Sequence, residues 1–298
     1  MFRRMIKAQT AKQEKLLERW IEKHDRENPF PKDVRMTENE DYLGDGKPCH
    51  RMDIFRPEGS VERLPVLVDI HGGGFLLGRK EANRLFCADM CKKGFVVFCP
   101  EYPLAPEAAV FDILSALSAG VDRSCELAEA HGGDASRLYL CGDSAGAYLC
   151  VYLAAMQNAP EMAEAAGVRP PKAKIRAIGL QSGMFYTLRL DKIGIFLPEI
   201  IYGKGWRKNA FRPYMDPENP ELLRALPPCF LTTARGDFLR GYSRRFSAAL
   251  QKRGVRHRLL DITGKEKLPH AFAAMLPETP EAQAANAEMA AFLKEQGL

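Results

Sequence analysis

The sequence has no apolar run that approaches the roughly 18 residues of a membrane-spanning helix. Its first residues are rich in charge and lack the apolar core of a secretory signal. It also has neither a phosphate-binding loop nor a dinucleotide-binding fingerprint, which argues against the common nucleotide cofactors. We therefore expect a cytoplasmic protein with no membrane span and no cofactor.

Neither the net charge nor the cysteines indicate a binding site. The net charge is only +5, and basic residues alternate with acidic ones instead of forming the dense patch that nucleic-acid binding favours. The eight cysteines are scattered, and Cys99, Cys141 and Cys150 fall in core-like positions, which favours buried thiols over disulfides. Cys87 and Cys91 alone offer too few ligands for a metal. We expect no metal and no nucleic acid, and the oligomeric state stays open, with a homo-oligomer among the options.

Two glycine-rich segments stand out, HGGGF at residues 71–75 and GDSAG at residues 142–146. Each follows an apolar run typical of a buried strand, at residues 65–70 and 138–141. In GDSAG, Gly142 and Gly146 would let strand and helix pass closely while Ser144 takes a strained conformation that presents its hydroxyl. Either segment alone fits an ordinary turn. Together, in this order, they predict acyl transfer through Ser144.

A nucleophilic serine needs a base, which in this arrangement follows the acid along the chain. Of the six histidines, only His257 and His270 come after Ser144. His257 opens an alternating stretch typical of a last strand, whereas His270 follows in a loop that can reach the sheet edge. We therefore take His270 as the base, with an ordinary surface histidine as the alternative.

The acid is predicted by the same placement. Residues 230–234 form a strand-like run, and Asp237 lies just beyond its end, where open α/β sheets carry functional side chains. Asp261 is the alternative, but it falls inside the predicted last strand, which favours a sheet-edge or surface role.

These residues resemble the bacterial hormone-sensitive-lipase family of α/β-hydrolase esterases, whose signature joins HGGG to GDSAG. The resemblance covers roughly residues 40–295 and includes EYPLAPE at 101–107, DASR at 134–137, DFLR at 237–240 and HAF at 270–272. It implies a Ser144 nucleophile, an Asp237 acid and a His270 base. It also implies an oxyanion hole of peptide N–H groups, which we assign to Gly72, Gly73, Gly74 and Ala145.

The chain departs from the family pattern beside these groups without losing a reacting one. Pro103 replaces an arginine, Ala147 and Ala271 replace glycines, Phe238 replaces a proline, and Gly241 replaces an acidic residue. Substrate fit and rate are the properties that these changes put in doubt.

The resemblance further implies an α/β fold with a mostly parallel central sheet, flanking helices and a helical cap. We expect an N-terminal cap segment at 1–40 and a catalytic domain at 41–298 with a cap insertion at about 184–226. The insertion is rich in aromatic and aliphatic residues, which fit a substrate pocket or ordinary packing equally well. The predicted pocket residues are Phe75, Phe185, Tyr186 and Phe196.

The function expected from the sequence is a serine carboxylesterase that hydrolyses small esters of short acyl chains through an acyl-enzyme. The partner would then be a small-molecule ester. An amidase, peptidase or lactone hydrolase on the same scaffold remains an alternative, because triad and oxyanion hole do not select the leaving group. A non-catalytic small-molecule binding protein is the alternative from a different class.

Overall fold

The computed structural model describes residues 2–60, 62–189, 197–265 and 267–297. Its strands in chain order are β1 (Val34–Asp41), β2 (Arg51–Pro57), β3 (Leu64–Ile70), β4 (Val96–Pro100), β5 (Gly133–Asp143), β6 (Ile175–Gln181), β7 (Cys229–Ala234) and β8 (His257–Ile262). Within this part of the chain they form one sheet in the order β1-β2-β4-β3-β5-β6-β7-β8. Pairing is antiparallel from β1 through β2 to β4 and parallel elsewhere, which confirms the predicted mostly parallel sheet.

The central strands are apolar on both faces because both faces are covered. In β3, Val66 and Val68 point into one core cluster, while Leu67 between them points into the other. Strands buried in this way lack the alternation of half-exposed strands and read as continuous apolar runs. Each such side chain contributes about 1.5–3 kcal/mol by leaving water.

Helices cover the two faces unequally. They are α1 (Phe2–Glu27), α2 (Arg84–Lys92), α3 (Val110–Ala128), α4 (Ala145–Met156), α5 (Pro160–Ala166), α6 (Leu197–Tyr202), α7 (Pro220–Ala225), α8 (Arg240–Lys252), α9 (Phe272–Met275) and α10 (Pro280–Glu295). Helices α3, α4 and α8 pack on one face, and α2 and α10 pack on the other. None of the helices in the described residues combines the length and apolar character needed to cross a bilayer.

Helix α4 lies at the centre of its layer. Every residue from Ala145 to Met156 is buried, which explains why its sequence is apolar on all sides. This burial fixes the start of the helix, and with it the position of Ser144 at the end of β5.

The predicted boundary between cap segment and catalytic domain needs a correction. Strand β1 already begins at Val34, so residues 34–40 belong to the sheet and not to an N-terminal cap segment. The sequence pattern does not predict this strand, because the strand lies at the sheet edge, is half exposed and has no run of apolar residues. Only α1 remains outside the sheet and its flanking layers at this end of the chain.

Helix α1 is attached mainly through charged side chains. Arg79 pairs with Glu18 at 2.9 Å, Arg84 pairs with Asp25 at 3.5 Å, and His24 lies 3.1 Å from Glu278. Arg79 lies in the chain between HGGGF and α2, and Arg84 is the first residue of α2. Helix α1 is therefore held next to the part of the chain that follows HGGGF.

The described parts of the segment at 184–226 pack on α3, α4 and α8. The Tyr202 hydroxyl lies 2.6 Å from that of Tyr148, and the Tyr152 hydroxyl donates to the Tyr214 carbonyl at 2.5 Å. These bonds join the segment to α4 at buried positions. For its described aromatic residues, packing explains the apolar composition.

Candidate active site

The sharp turn between β5 and α4 holds Ser144. Its backbone has φ 52° and ψ −113°, a conformation that L-residues rarely adopt and that costs on the order of 1–3 kcal/mol. A Cβ atom at Gly142 or Gly146 would lie 2.6 Å or 1.8 Å from the Ile70 carbonyl oxygen, so neither position accepts a side chain. Close backbone contacts therefore hold the turn in this conformation, and the turn places Ser144 at the carboxyl ends of the strands.

His270 and Asp237 complete a hydrogen-bonded series with Ser144. The His270 Nε2 atom lies 2.9 Å from Ser144 Oγ, and its Nδ1 atom lies 2.7 Å from Asp237 Oδ1. The carboxylate can only accept, so Nδ1 carries a proton and Nε2 is left to accept the serine hydroxyl. The structure thus brings together all three residues that the sequence singled out.

Asp237 is held as an ionised acceptor. Burial alone would raise its pKa, but the hydrogen bond and charge of His270 and two further donors keep the pKa below its ordinary value. The donors are the Leu239 N–H at 2.8 Å and the Thr233 hydroxyl at 2.8 Å. Neither was predicted from the sequence, although both lie within four residues of the acid.

The loop that carries His270 is fixed on both sides. Ala271 has φ 56°, in the left-handed region, and its N–H donates to Ser182 Oγ at 3.0 Å. On the acid side, a Cβ atom at Gly236 would lie 2.3 Å from the Leu268 carbonyl oxygen. Acid and base therefore approach through closely packed backbones, which limits how far the imidazole can move.

The alternative acid, Asp261, serves a different purpose. Its two carboxylate oxygens accept from Arg240 Nε at 2.8 Å and Nη2 at 3.0 Å. This bidentate ion pair ties β8 to the first turn of α8. The predicted sheet-edge role of Asp261 agrees with this contact.

The HGGG segment places two free donors beside Ser144. Gly73 has φ 117° and Gly74 has φ 64°, and among the described residues neither N–H donates to a protein acceptor. The Ala145 N–H is the first of α4 and has no partner within the helix. Three of the four predicted oxyanion donors are therefore free to bind a ligand.

Gly72 requires a correction. Its N–H donates to Asp143 Oδ1 at 2.9 Å, so it is engaged and does not point a free donor at the site. The same close approach leaves no room for a side chain, because a Cβ atom at Gly72 would lie 2.2 Å from Asp143 Oδ2. Gly72 anchors the loop while Gly73 and Gly74 remain open.

His71 supports the loop from behind. Its Nδ1 lies 2.8 Å from the Gly72 carbonyl oxygen and its Nε2 lies 2.8 Å from Glu101 Oε1. The Tyr102 ring stacks on it at 4.2 Å, and the Tyr102 hydroxyl donates to the His71 carbonyl at 2.6 Å. Burial opposes a charge on His71, but Glu101 and the Gly72 carbonyl together raise its pKa. Glu101 and Tyr102, at the start of the segment at 101–107, thus hold the loop in place.

A buried polar group lies beneath the two glycine segments. Asn83 Nδ2 donates to Asp143 Oδ1 at 3.1 Å and to Asp69 Oδ2 at 2.9 Å. Burial raises the pKa of Asp69 to about 6, although Asn83 opposes the shift. Sequence reasoning missed Asn83 and Asp69, since nothing in their local pattern indicates a role.

Within the described residues, Asp69, Cys87 and Cys99 are the group spaced closely enough to hold a metal ion. The Cys87 and Cys99 thiols lie 3.6 Å and 3.7 Å from Asp69 Oδ2, at hydrogen-bond distances for sulfur. Burial raises the pKa of the Cys87 thiol well above its ordinary value. The hydrogen bond with Cys87 lowers the pKa of Cys99, but burial raises it to about 12, so both thiols are protonated donors. Hydrogen bonding to Asp69 accounts for the cluster without a metal.

A cavity of about 440 Å³ opens above Ser144. Ser144, His270 and the loop at 72–74 line one side of it. Its apolar side consists mainly of residues that the sequence did not single out as pocket residues: Leu17, Leu76, Leu77, Met184, Phe238 and Met275. Leu17 belongs to α1, so a helix from the N-terminus contributes to the wall.

Three of the four aromatic residues predicted to bind substrate lie elsewhere. Phe75 is fully buried and packs edge-on against Tyr148 at 5.2 Å, and Phe185 stacks on Phe246 at 4.3 Å. Tyr186 donates to Glu218 at 3.0 Å. None of the three lines the cavity above Ser144, because their rings fill the layer of α4 and α8. Phe196 lies outside the described residues.

Several known proteins are similar to this chain. The chain is 27% identical to carboxylesterase NlhH of Mycobacterium tuberculosis, in an alignment that covers 77% of this chain and 74% of that protein. It is 27% identical to the isoprenylcysteine alpha-carbonyl methylesterase of Arabidopsis thaliana, in an alignment that covers 79% of this chain and 57% of that one. The chain spans about half the length of the methylesterases that it matches.

Solved structures share the fold. Esterase B from Lactobacillus rhamnosis superimposes with a TM-score of 0.90 at 19% identity, covering 99% of this chain and 96% of that one. The family model described as alpha/beta hydrolase fold matches residues 67–274. Since this match spans well over half of the sequence, the chain belongs to the α/β-hydrolase fold family, and its resemblance to the bacterial hormone-sensitive-lipase group is confirmed.

Proposed function

We propose that the protein is a serine carboxylesterase that hydrolyses small esters through an acyl-enzyme. The observation that carries this function is the series Ser144, His270 and Asp237, joined by contacts of 2.9 Å and 2.7 Å at the mouth of a cavity. The carboxylesterases among the similar proteins support the same reaction class.

In the first half of the reaction, Ser144 Oγ attacks the ester carbonyl carbon while His270 Nε2 takes the serine proton. The carbonyl oxygen becomes an oxyanion, which the N–H groups of Gly73, Gly74 and Ala145 stabilise by roughly 3–4 kcal/mol per donor. Asp237 stabilises the imidazolium through Nδ1. His270 then gives its proton to the alkoxy oxygen, the carbon–oxygen bond breaks, and the alcohol leaves.

Water completes the cycle. His270 accepts a proton from a water molecule as the water oxygen attacks the acyl carbon on Ser144. A second oxyanion forms in the same place and collapses, His270 returns the proton to Ser144, and the acid is released. Each half therefore uses the same three residues and the same donors.

We propose short acyl chains for the substrate. The cavity of about 440 Å³ lies toward the lower end of the roughly 300–1,000 Å³ of small-molecule sites. Its wall of leucine and methionine side chains favours an apolar acyl group of limited length. These apolar side chains do not require the substrate to carry a charged group.

We also propose that α1 and the segment at 184–226 cap the site. Leu17 of α1 and Met184 at the start of the segment both line the cavity. The ion pair of Arg79 with Glu18 keeps α1 in this position. The choice of ester would then depend on side chains that are far apart in the sequence.

Hydrolysis of p-nitrophenyl acetate, butyrate and palmitate tests both parts of this function. We expect turnover of acetate and butyrate, little or none of palmitate, and loss of turnover in Ser144→Ala with folding retained. A preference for palmitate would contradict the short-chain substrate. Turnover by Ser144→Ala at the wild-type rate would contradict the serine mechanism.

The alternatives predict other outcomes in the same assay. Faster hydrolysis of p-nitroanilides or lactones than of matched esters would make the protein an amidase, peptidase or lactone hydrolase. A folded protein that binds these esters without hydrolysing them would be a binding protein on a hydrolase scaffold.

A further inference from the structure

Phe238 is the most exposed of the large apolar side chains in the described residues. It is 71% exposed, against 55% for Leu16 and 44% for Leu43. It also lines the cavity above Ser144, so its exposed ring stands at the entrance and not on a remote surface. Because ligand pockets are lined mainly by apolar and aromatic side chains, an exposed ring at this place is positioned to contact a ligand.

The exposure does not come from a loosely held loop. Phe238 lies between Asp237, which is part of the triad series, and Leu239, which is 2% exposed. The Leu239 N–H donates to Asp237 Oδ1 at 2.8 Å, and the Asp237 N–H donates to the Ala234 carbonyl at 3.0 Å. The backbone is thus fixed on both sides, and it directs the ring outward.

The ring lies beside the base. Its centroid is 4.3 Å from that of His270, with the two planes inclined by 41°. One edge of the ring therefore covers the imidazole, while most of its surface remains free to contact another group. Aromatic pairs at this separation contribute about 0.5–1.5 kcal/mol beyond the area that they bury.

The geometry of the reaction determines which part of an ester lies next to the Phe238 ring. His270 Nε2 must reach the alkoxy oxygen to protonate it, whereas the carbonyl oxygen must face Gly73 and Gly74. The group attached to the alkoxy oxygen therefore leaves on the side of His270. Phe238 is the aromatic side chain in contact with His270 on that side.

We propose that Phe238 is a specificity-determining residue for the alcohol part of the ester, where it stacks on a flat apolar alcohol such as benzyl. This inference rests on the serine esterase function proposed above and adds its alcohol preference. Esters of small alcohols such as ethanol end before the free part of the ring and gain nothing from it.

Acetate esters of benzyl alcohol and ethanol test the inference, because they share an acyl group and hence the same acyl-enzyme. In Phe238→Ala we expect the ratio of kcat/KM for benzyl acetate to that for ethyl acetate to fall roughly two- to tenfold. Deacylation does not involve the alcohol and does not enter kcat/KM, so the ratio reports the alcohol part alone. Phe238→Tyr should retain the ratio, and Phe238→Leu should retain part of it.

Leu43→Ala is the matched control, because it removes another exposed apolar side chain outside the cavity. It should leave both kcat/KM values unchanged. An active Phe238→Ala variant with the wild-type ratio would overturn the inference, as would an equal loss for both esters, which would mean that the ring acts on His270 alone. If the wild-type protein hydrolyses no ester, the proposed function itself fails, and that outcome is separate from a change in the ratio.

Discussion

The carboxylate of Asp143 accepts the backbone N–H of Gly72 at 2.9 Å. This one bond joins the two glycine-rich segments, since Asp143 precedes the serine and Gly72 precedes the free donors of the loop. The position of Gly73 and Gly74 relative to Ser144 is thus set by a side chain of the serine turn itself.

Replacement of Asp143 by alanine should loosen the loop without removing a reacting group. The Gly72 N–H and the Asn83 amide would both lose an acceptor, and each unsatisfied buried donor costs about 1–3 kcal/mol. We expect a lower melting temperature and a fall in kcat, both measured on the same preparation. A fully active variant of wild-type stability would contradict this role.

Gly73 should not tolerate a side chain. A Cβ atom there would lie 1.7 Å from the Leu77 carbonyl oxygen, and the backbone φ is 117°. Gly73→Ala must displace the loop and its N–H, and we expect kcat to fall by about 10²–10³. Gly241→Ala is the control, because a Cβ atom at Gly241 meets nothing within 4 Å, and its kcat should match wild type.

Asp237→Asn should remove the acceptor that holds the His270 tautomer. We expect kcat to fall by about 10⁴, with little change in the far-ultraviolet circular dichroism. Asp261→Asn is the matched control, since Asp261 pairs with Arg240 away from the triad. The reverse result, with Asp261→Asn inactive and Asp237→Asn active, would transfer the acid role to Asp261.

Asp69 should make stability depend on pH. Its pKa is raised by burial to about 6, so the folded protein binds this proton more tightly than the unfolded chain does. The contribution is therefore complete below about pH 4 and is lost as pH rises through about 6. Asp69→Asn should abolish this loss, so the melting temperature of the variant relative to wild type should increase from about pH 4 to about pH 7. A difference in melting temperature between the variant and wild type that stays constant across that pH range would contradict the raised pKa.

The hydrogen-bonded series of Ser144, His270 and Asp237 could be predicted from sequence because its signals are local. Ser144 lies between glycines required by close backbone contacts, and Asp237 and His270 each follow a strand that parallel packing brings to the same sheet edge. The strands that carry them are buried on both faces and read as apolar runs. Chain order then left two of the six histidines, and the strand-like pattern that begins at His257 favoured His270.

The pocket could not be found in the same way. Leu17 reaches the cavity from a helix that is held by ion pairs, and no local pattern shows where that helix docks. Phe185 and Tyr186 have the composition of pocket residues but turn into the packing against α8 and the segment that precedes β7. The engaged Gly72 N–H likewise depends on a contact with Asp143, 71 residues away in the chain.

Reaction with a fluorophosphonate ester is the most direct measurement. The reagent reacts with an activated serine, so the experiment does not require the natural substrate to be known. We expect one equivalent of phosphonate on the peptide that contains Ser144, and none in a folded Ser144→Ala variant. A folded wild-type protein that stays unlabelled, or that is labelled at another residue, would contradict Ser144 as the nucleophile.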